Sequence, residues 1–123
     1  MSSLLLLAVY GTLKKGLSNH YPYLKNAVFL GKGKTSNPYK MVVKEGIPFV
    51  FSTSTDSGLR INVEVYKIDL RTLITIDALE EHPTWYVRKQ IPISLESKKI
   101  ETAWMYFNDT VIDTGVYYDN FNE

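Results

Sequence analysis

Two acids within residues 70–81 stand where acids are seldom found. On a helical wheel at about 100° per residue, with Leu73 as reference, Ile76 falls at about −60°, Leu70 at about +60° and Ile74 at about +100°. That is one broad apolar face. Glu80 falls on it at about −20° and Asp77 at about +40°, while Arg71 and Thr75 lie opposite. An acid in the last helical turn meets the negative end of the helix dipole, and burial penalises its charge as well. Both effects raise a carboxyl pKa towards neutrality, where the group can take a proton and return it. Glu80 is therefore a candidate general acid/base. The rival reading is structural: a helix-end carboxylate paired with Arg88 or Arg60, or turned out to solvent. For Asp77 the structural reading, a hydrogen bond or ion pair, is preferred. Glu81 lies further from the core face and is read as solvated.

The second candidate is the octet VYGTLKKG at 9–16, directly behind the apolar run LLLLA. A glycine turn behind a buried strand can cradle a phosphate, cradle a carboxylate, or only reverse the chain. The phosphate motifs each fail by one residue. Gly11 and Gly16 have the P-loop glycine spacing, but Leu17 stands where Lys is required. Gly33-Lys34-Thr35 has the correct ending, but Val28 occupies the place of the first glycine. Gly31 and Gly33 need a third glycine at the position of Ser36 to make a dinucleotide fingerprint. Lys14 and Lys15 are read as solvent-facing.

Metal and nucleophile chemistry find little support. The chain has two histidines, His20 and His82, and no cysteine. Thiol nucleophiles, disulfides and cysteine-based zinc sites are thus excluded, and no helical His pair exists. No serine is flanked by a nucleophile-elbow pattern. No metal and no cofactor are expected.

These residues must be positioned by a chain of 123 residues with a formal charge of +1, a length that suggests one domain over 1–123 with a core of its own. Nothing basic enough to attract nucleic acid or an anionic membrane stands out. The run Leu4 to Val9 is too short to cross a bilayer and lacks the flanks of a signal peptide. It reads as a strand, Leu4 to Tyr10, buried on both faces, in a cytoplasmic protein. Further strands are expected at Val28–Gly31, Met41–Val43, Pro48–Ser52, Arg60–Ile68, Trp85–Ile93 and Thr102–Phe107. In Arg60–Ile68, Ile61, Val63 and Val65 share one face. A short helix is expected within Leu17–Leu24, limited by Pro22. A firmer one runs from Leu70 to Glu81, with Asp69 as N-cap and Pro83 as terminator. Many short strands with one or two packed helices make an α+β domain, with a curved, β-barrel-like sheet.

Taken together, VYGTLKKG followed by Asn19-His20, GKTSNPY with the later Ile47-Pro48, EVYKID at 64–69 and IDALEEHPTWYVR at 76–88 resemble the γ-glutamylcyclotransferase-like family, and within it the γ-glutamylamine cyclotransferases. The resemblance covers Val9 to Arg88 and, more loosely, the chain to Phe107. One departure is Val63, where the family usually has glycine; a side chain there is expected to crowd a strand crossing or a pocket wall. The resemblance implies a compact barrel-like α+β fold. It implies an enzyme that closes the γ-glutamyl group of a γ-glutamylamine, such as γ-glutamyl-ε-lysine, into 5-oxoproline and frees the amine. The implied site has Glu80 as general acid/base and Tyr10, Gly11, Thr12 and Leu13 around the substrate's α-carboxylate and α-amino end. It needs no cofactor, and its partner is the small-molecule γ-glutamyl substrate. Trp85, Tyr86, Tyr106, Tyr117 and Tyr118 are candidates for pocket walls, Arg88 completes a Tyr-x-Arg pattern, and the region after Phe107 is a candidate for shaping the leaving-group side. A non-catalytic binding module of the same fold, or a cyclotransferase for another γ-glutamyl compound, is the alternative.

Overall fold

The computed structural model describes residues 4–123. Seven strands and two helices follow in the order β1 (Leu5–Val9), α1 (His20–Leu24), β2 (Val28–Thr35), β3 (Met41–Lys44), β4 (Ile47–Val50), β5 (Asn62–Ile68), α2 (Leu70–Leu79), β6 (Val87–Leu95) and β7 (Ile100–Phe107). Five strands close a barrel in the order β1-β5-β2-β6-β7, and β3-β4 form a separate hairpin. Neighbours in the barrel are antiparallel except β1 and β7, which close it in parallel. The α+β class and the barrel-like sheet match the expectation from sequence.

Strand β1 explains why its run is apolar without alternation. It pairs with β5 from Leu5↔Ile68 to Val9↔Glu64. Ala8 and Tyr10 join Val63, Val65, Ile93 and Met105 in one core. Leu7 and Val9, on the opposite face, join Tyr66, Ile68, Leu73 and Ile76 in a second core under α2. A strand packed on both faces has no polar side to show. Val63 lies opposite Gly33 on β2 and is buried. Val63 packs into the barrel core with Val65, Ile93 and Met105, and the glycine at 33 answers a close approach from β6. A side chain at Gly33 would meet the Ser94 carbonyl oxygen at 2.5 Å.

Several boundaries differ from the sequence reading. β2 runs on to Thr35, through a bulge between Phe29 and Gly31, since Gly33 and Thr35 pair with β6. β6 starts at Val87 and continues to Leu95, and β7 starts at Ile100, because the two strands hold one register from Val87↔Phe107 to Ser94↔Ile100. α1 begins only at His20.

Helix α2 begins as expected, with the Asp69 carboxylate accepting from the Thr72 amide at 2.8 Å. Its apolar face is narrower than the wheel suggested. Leu73 and Ile76 are buried, but Leu70 and Ile74 are 58% and 57% exposed. The buried stripe is thus centred between Leu73 and Ile76, nearer to Glu80 than to Asp77. The helix ends at Leu79 rather than Glu81. Glu81 takes a left-handed φ of 55°. Its amide reaches the Ala78 carbonyl at 3.3 Å and that of His82 reaches Asp77 at 2.9 Å. This is a Schellman closure in which Glu81 fills the place usually given to glycine.

Lys14 also departs from expectation. It is only 8% exposed, and the segment beyond β7 covers it. Leu73→Ala and Ile76→Ala should each destabilise the fold by about 2–4 kcal/mol. Leu70→Ala and Ile74→Ala, on the open side, should stay within about 0.5 kcal/mol. Urea unfolding of the four variants measures the difference.

Candidate active site

The Schellman closure decides which of two adjacent glutamates faces inward. Glu80 keeps helical geometry (φ −84°, ψ −3°) as the C-cap of α2, whereas Glu81 swings out and is exposed. Glu80 borders a cavity of about 280 Å³, near the lower end of small-molecule sites. The same cavity is lined by Tyr10, Gly11, Thr12 and Leu13, so the fold brings all five sequence-predicted site residues together. Lys14 and Lys15 do not line it. They border a separate, larger groove on the outer face of β2 and β5.

The carboxylate of Glu80 has no hydrogen-bond or ion-pair partner among the described residues, and burial pushes its pKa up to about 7. The arginines that could have neutralised it are engaged elsewhere. Arg88 makes a two-pronged contact with Asp77, Nε to Oδ1 at 2.9 Å and a terminal nitrogen to Oδ2 at 3.2 Å. It also lies over the Trp104 ring, 4.3 Å from its centre. Arg60 donates from Nε to the Thr35 carbonyl at 3.0 Å. Burial works against the Asp77 charge, but Arg88 and a 2.6 Å bond from the Tyr106 hydroxyl outweigh it and hold its pKa below the usual carboxylate range. Asp77 is therefore the ion-paired structural acid that the sequence suggested.

Three tyrosines surround Glu80. Burial raises the pKa of Tyr10, Tyr86 and Tyr106, and the nearby Glu80 charge adds to the rise in each. Each spends its proton on the protein: Tyr10 on the Tyr106 carbonyl (2.8 Å), Tyr86 on the Pro48 carbonyl (2.9 Å) and Tyr106 on Asp77. The oxygens of Tyr86 and Tyr106 can then only accept, which suits a cationic group beside them, whereas the Tyr10 oxygen already meets the Val50 backbone. Tyr86 stacks on Phe49 with ring centres 5.7 Å apart.

Another part of the lining is the turn after β1. The Gly11 carbonyl accepts from the Lys14 amide at 3.0 Å. Among the described residues, the amides of Gly11, Thr12 and Leu13 donate to no protein acceptor. Consecutive N–H groups without an acceptor are the raw material of an anion-binding concavity. Thr12 Oγ1 accepts from Asn19 Nδ2 at 2.7 Å, which leaves its own hydroxyl proton available. A Cβ on Gly11 would stand 3.2 Å from Cγ of Pro48, so a larger residue would narrow the cavity.

Sequence reasoning left the walls incomplete. Trp85, Tyr86 and Tyr106 line the cavity, whereas Tyr117 and Tyr118 do not. Ile47 and Pro48 arrive by way of the tight β3-β4 hairpin, whose two turn residues, Glu45 and Gly46, have φ of 54° and 75°. Asn19 lines it too; its place beside the octet was the available signal. No residue after Phe107 borders it, so the expected shaping of the leaving-group side by that region is not seen. Among the described residues no group of three His, Asp or Glu side chains could hold a metal ion, and no helix is long and apolar enough to cross a membrane.

The model of the family described as "Gamma-glutamyl cyclotransferase, AIG2-like" matches residues 7–119. The chain belongs to this family. The "Putative gamma-glutamylcyclotransferase" of Methanocaldococcus jannaschii is 46% identical over 115 residues, covering 90% of this chain and 93% of that protein. Gamma-glutamylaminecyclotransferase C of Danio rerio is 36% identical over 109 residues, covering 80% and 71%. The crystal structure of an AIG2-like protein from Mus musculus superposes with a TM-score of 0.87 at 25% identity, covering 97% of this chain and 88% of that one. The AIG2-like fold is thus the one this barrel adopts.

Burial of Glu80 has a sign that can be measured. Its folded pKa lies above the unfolded value, so stability is fully present below about pH 4.5 and is lost as pH rises towards about 7. Glu80→Gln removes that loss. The variant should match the wild type at pH 4 and exceed it by roughly 1–3 kcal/mol at pH 8. Denaturant unfolding at the two pH values tests this.

Proposed function

We propose that this chain converts γ-glutamylamines to 5-oxoproline and a free amine, with Glu80 as general acid/base and the Tyr10–Leu13 turn as the seat of the glutamyl α-carboxylate. Membership of the γ-glutamylcyclotransferase family supports cyclotransfer on a small γ-glutamyl substrate. The observation that carries the residue roles is the pairing across one cavity of an unpartnered carboxyl, with a pKa of about 7, and three undonated amides.

The chemistry follows from that pairing. The α-carboxylate sits on the amides of Gly11, Thr12 and Leu13, and the hydroxyl of Thr12 adds a donor. The α-ammonium then lies beside the accepting oxygens of Tyr86 and Tyr106 and near Glu80. Glu80 takes one proton from it. The freed amine attacks the γ-carbonyl carbon, and the new C–N bond closes a five-membered ring. The ring nitrogen gives its second surplus proton to water as the lactam forms, which balances the proton that the departed amine takes up. Glu80 delivers its proton to the departing nitrogen, the original amide C–N bond breaks, and the amine leaves to be protonated in water. Attack is intramolecular, so holding the γ-glutamyl chain folded supplies much of the acceleration. Side chains, backbone and water suffice for every step.

The leaving group is read from the other end of the cavity. Trp85 and Ile47, 40% and 42% exposed, stand at the solvent side of the lining. Glu80 is the only charged residue among those that line the cavity. An alkyl amine stem finds apolar contact there, whereas a leaving group with a carboxylate next to the scissile nitrogen finds no cation. That favours γ-glutamylamines over γ-glutamyl α-amino acids, in keeping with the name of the Danio rerio relative.

Mass spectrometry of 5-oxoproline release from γ-glutamyl-ε-lysine, γ-glutamyl-alanine and glutathione tests this reading. Release is expected to be fastest from γ-glutamyl-ε-lysine. It should fall by about 10²–10⁴ in Glu80→Gln and persist in Glu81→Gln. Because the base must be ionised, kcat/KM should rise with pH and level off above about pH 7. No release from any substrate would favour a binding module that keeps the turn without the chemistry.

A further inference from the structure

We infer that Lys14 and the segment 118–123 act together as a positioning device for the α-carboxylate turn, so that residues over a hundred positions away in sequence set the affinity for the glutamyl end. The inference rests on the carboxylate reading of that turn.

Lys14 is the residue immediately after the three free amides, and its side chain points away from the substrate cavity. Its ammonium is buried against oxygens of the late segment: Nζ donates to Asn120 Oδ1 at 3.0 Å and to the Phe121 carbonyl at 2.5 Å. Among the described residues no carboxylate lies within ion-pair distance of it. A lysine held on neutral acceptors, with Glu64 near but beyond ion-pair distance and Lys32 opposing it, gives up hydration for only partial charge compensation. It is a poor way to gain stability, and an effective way to fix a backbone.

The late segment that holds Lys14 is itself fixed at several points. Phe121 is 3% exposed and packs into the core that contains Tyr10 and Val63. The Asp119 carbonyl accepts from both the amide and the side-chain amide of Asn62 on β5, at 2.7 and 2.9 Å. The Tyr118 amide donates to the Met41 carbonyl at 3.0 Å. At the far side of the turn, the Glu123 carboxylate accepts from the Ser18 amide and hydroxyl, both at 2.8 Å. From β5, Glu64 accepts from the Lys15 amide at 2.8 Å. The stretch 11–18 has no regular secondary structure to hold its shape. Within it the Gly11, Lys14 and Thr12 carbonyls accept from the Lys14, Leu17 and Asn19 amides; the late segment and β5 add a grip from outside at 14, 15 and 18, and none of these contacts uses the amides at 11–13. An amide cradle recognises a carboxylate only if its N–H groups stay convergent.

The test uses the full chain and L-glutamate, a carboxylate probe that cannot react. In a ¹⁵N NMR titration of the wild type, the amide signals of Gly11, Thr12 and Leu13 should shift on binding. Lys14→Met, and separately Ser18→Ala with Glu123→Gln, should weaken glutamate binding and raise KM, by on the order of tenfold for Lys14→Met and less for the exposed pair. kcat should stay within about threefold, and the pH at which kcat/KM levels off should not move, because Glu80 is untouched. The double variant keeps the test open if Lys14→Met does not fold. Wild-type amides that ignore glutamate would remove the carboxylate reading and this inference together. Amides that shift normally, with unchanged affinity and KM in the variants, would overturn the positioning role alone. A fall in kcat at constant KM would overturn it as well.

Discussion

A half-buried acid without a counter-ion is the constraint on which the site depends. Glu80 is left at the end of α2 with no partner among the described residues, and desolvation lifts its pKa to about 7. Such a group survives only if its surroundings are rigid enough to prevent it from finding a cation. Leu73 and Ile76 lock the helix onto β1 and β5. Asp77, one turn away from Glu80, captures Arg88. The ion pair joins α2 to β6 and occupies the Arg88 guanidinium. A cation beside Glu80 would instead lower its pKa.

The two faces of β1 connect this helix to the turn at Gly11–Leu13. One face packs under α2 and the other enters the barrel, and the strand runs straight into the turn at Gly11. Glu80 and the turn at Gly11–Leu13, the proposed acid/base and carboxylate seat, are thus tied to each other through a single buried strand. The turn is held in part from outside because it has no ladder of its own. Its neighbours Lys14, Lys15 and Ser18 are tied to β5 and to the segment after β7.

A good deal of this was legible in the residues. The apolar run of β1, the alternation in β5 and the Asp69 cap follow from short-range rules of side-chain direction and hydrogen bonding. Glu80 stood out because a charged side chain at core phase needs a reason. The width of the α2 face was misjudged, since periodicity shows which side chains share a face but not whether anything covers them. Leu70 and Ile74 share it and lie open. Lys14 was misread because the oxygens that bury it come from Asn120 and Phe121, and no local rule links those to a turn near residue 14.

The sequence by itself determined the acids and their phase on a helix, the glycine turn behind a buried strand, and the small set of chemistries open to a chain without cysteine. These depend on residue type and on neighbours within a few positions. Tertiary structure alone decided that Arg88 goes to Asp77 and not to Glu80, that Trp85, Tyr86 and Tyr106 wall the cavity while Tyr117 and Tyr118 do not, and that a late segment pins the turn. The reason is physical: desolvation and pairing depend on which atoms meet in space, and strand closure brings together groups that the chain keeps far apart.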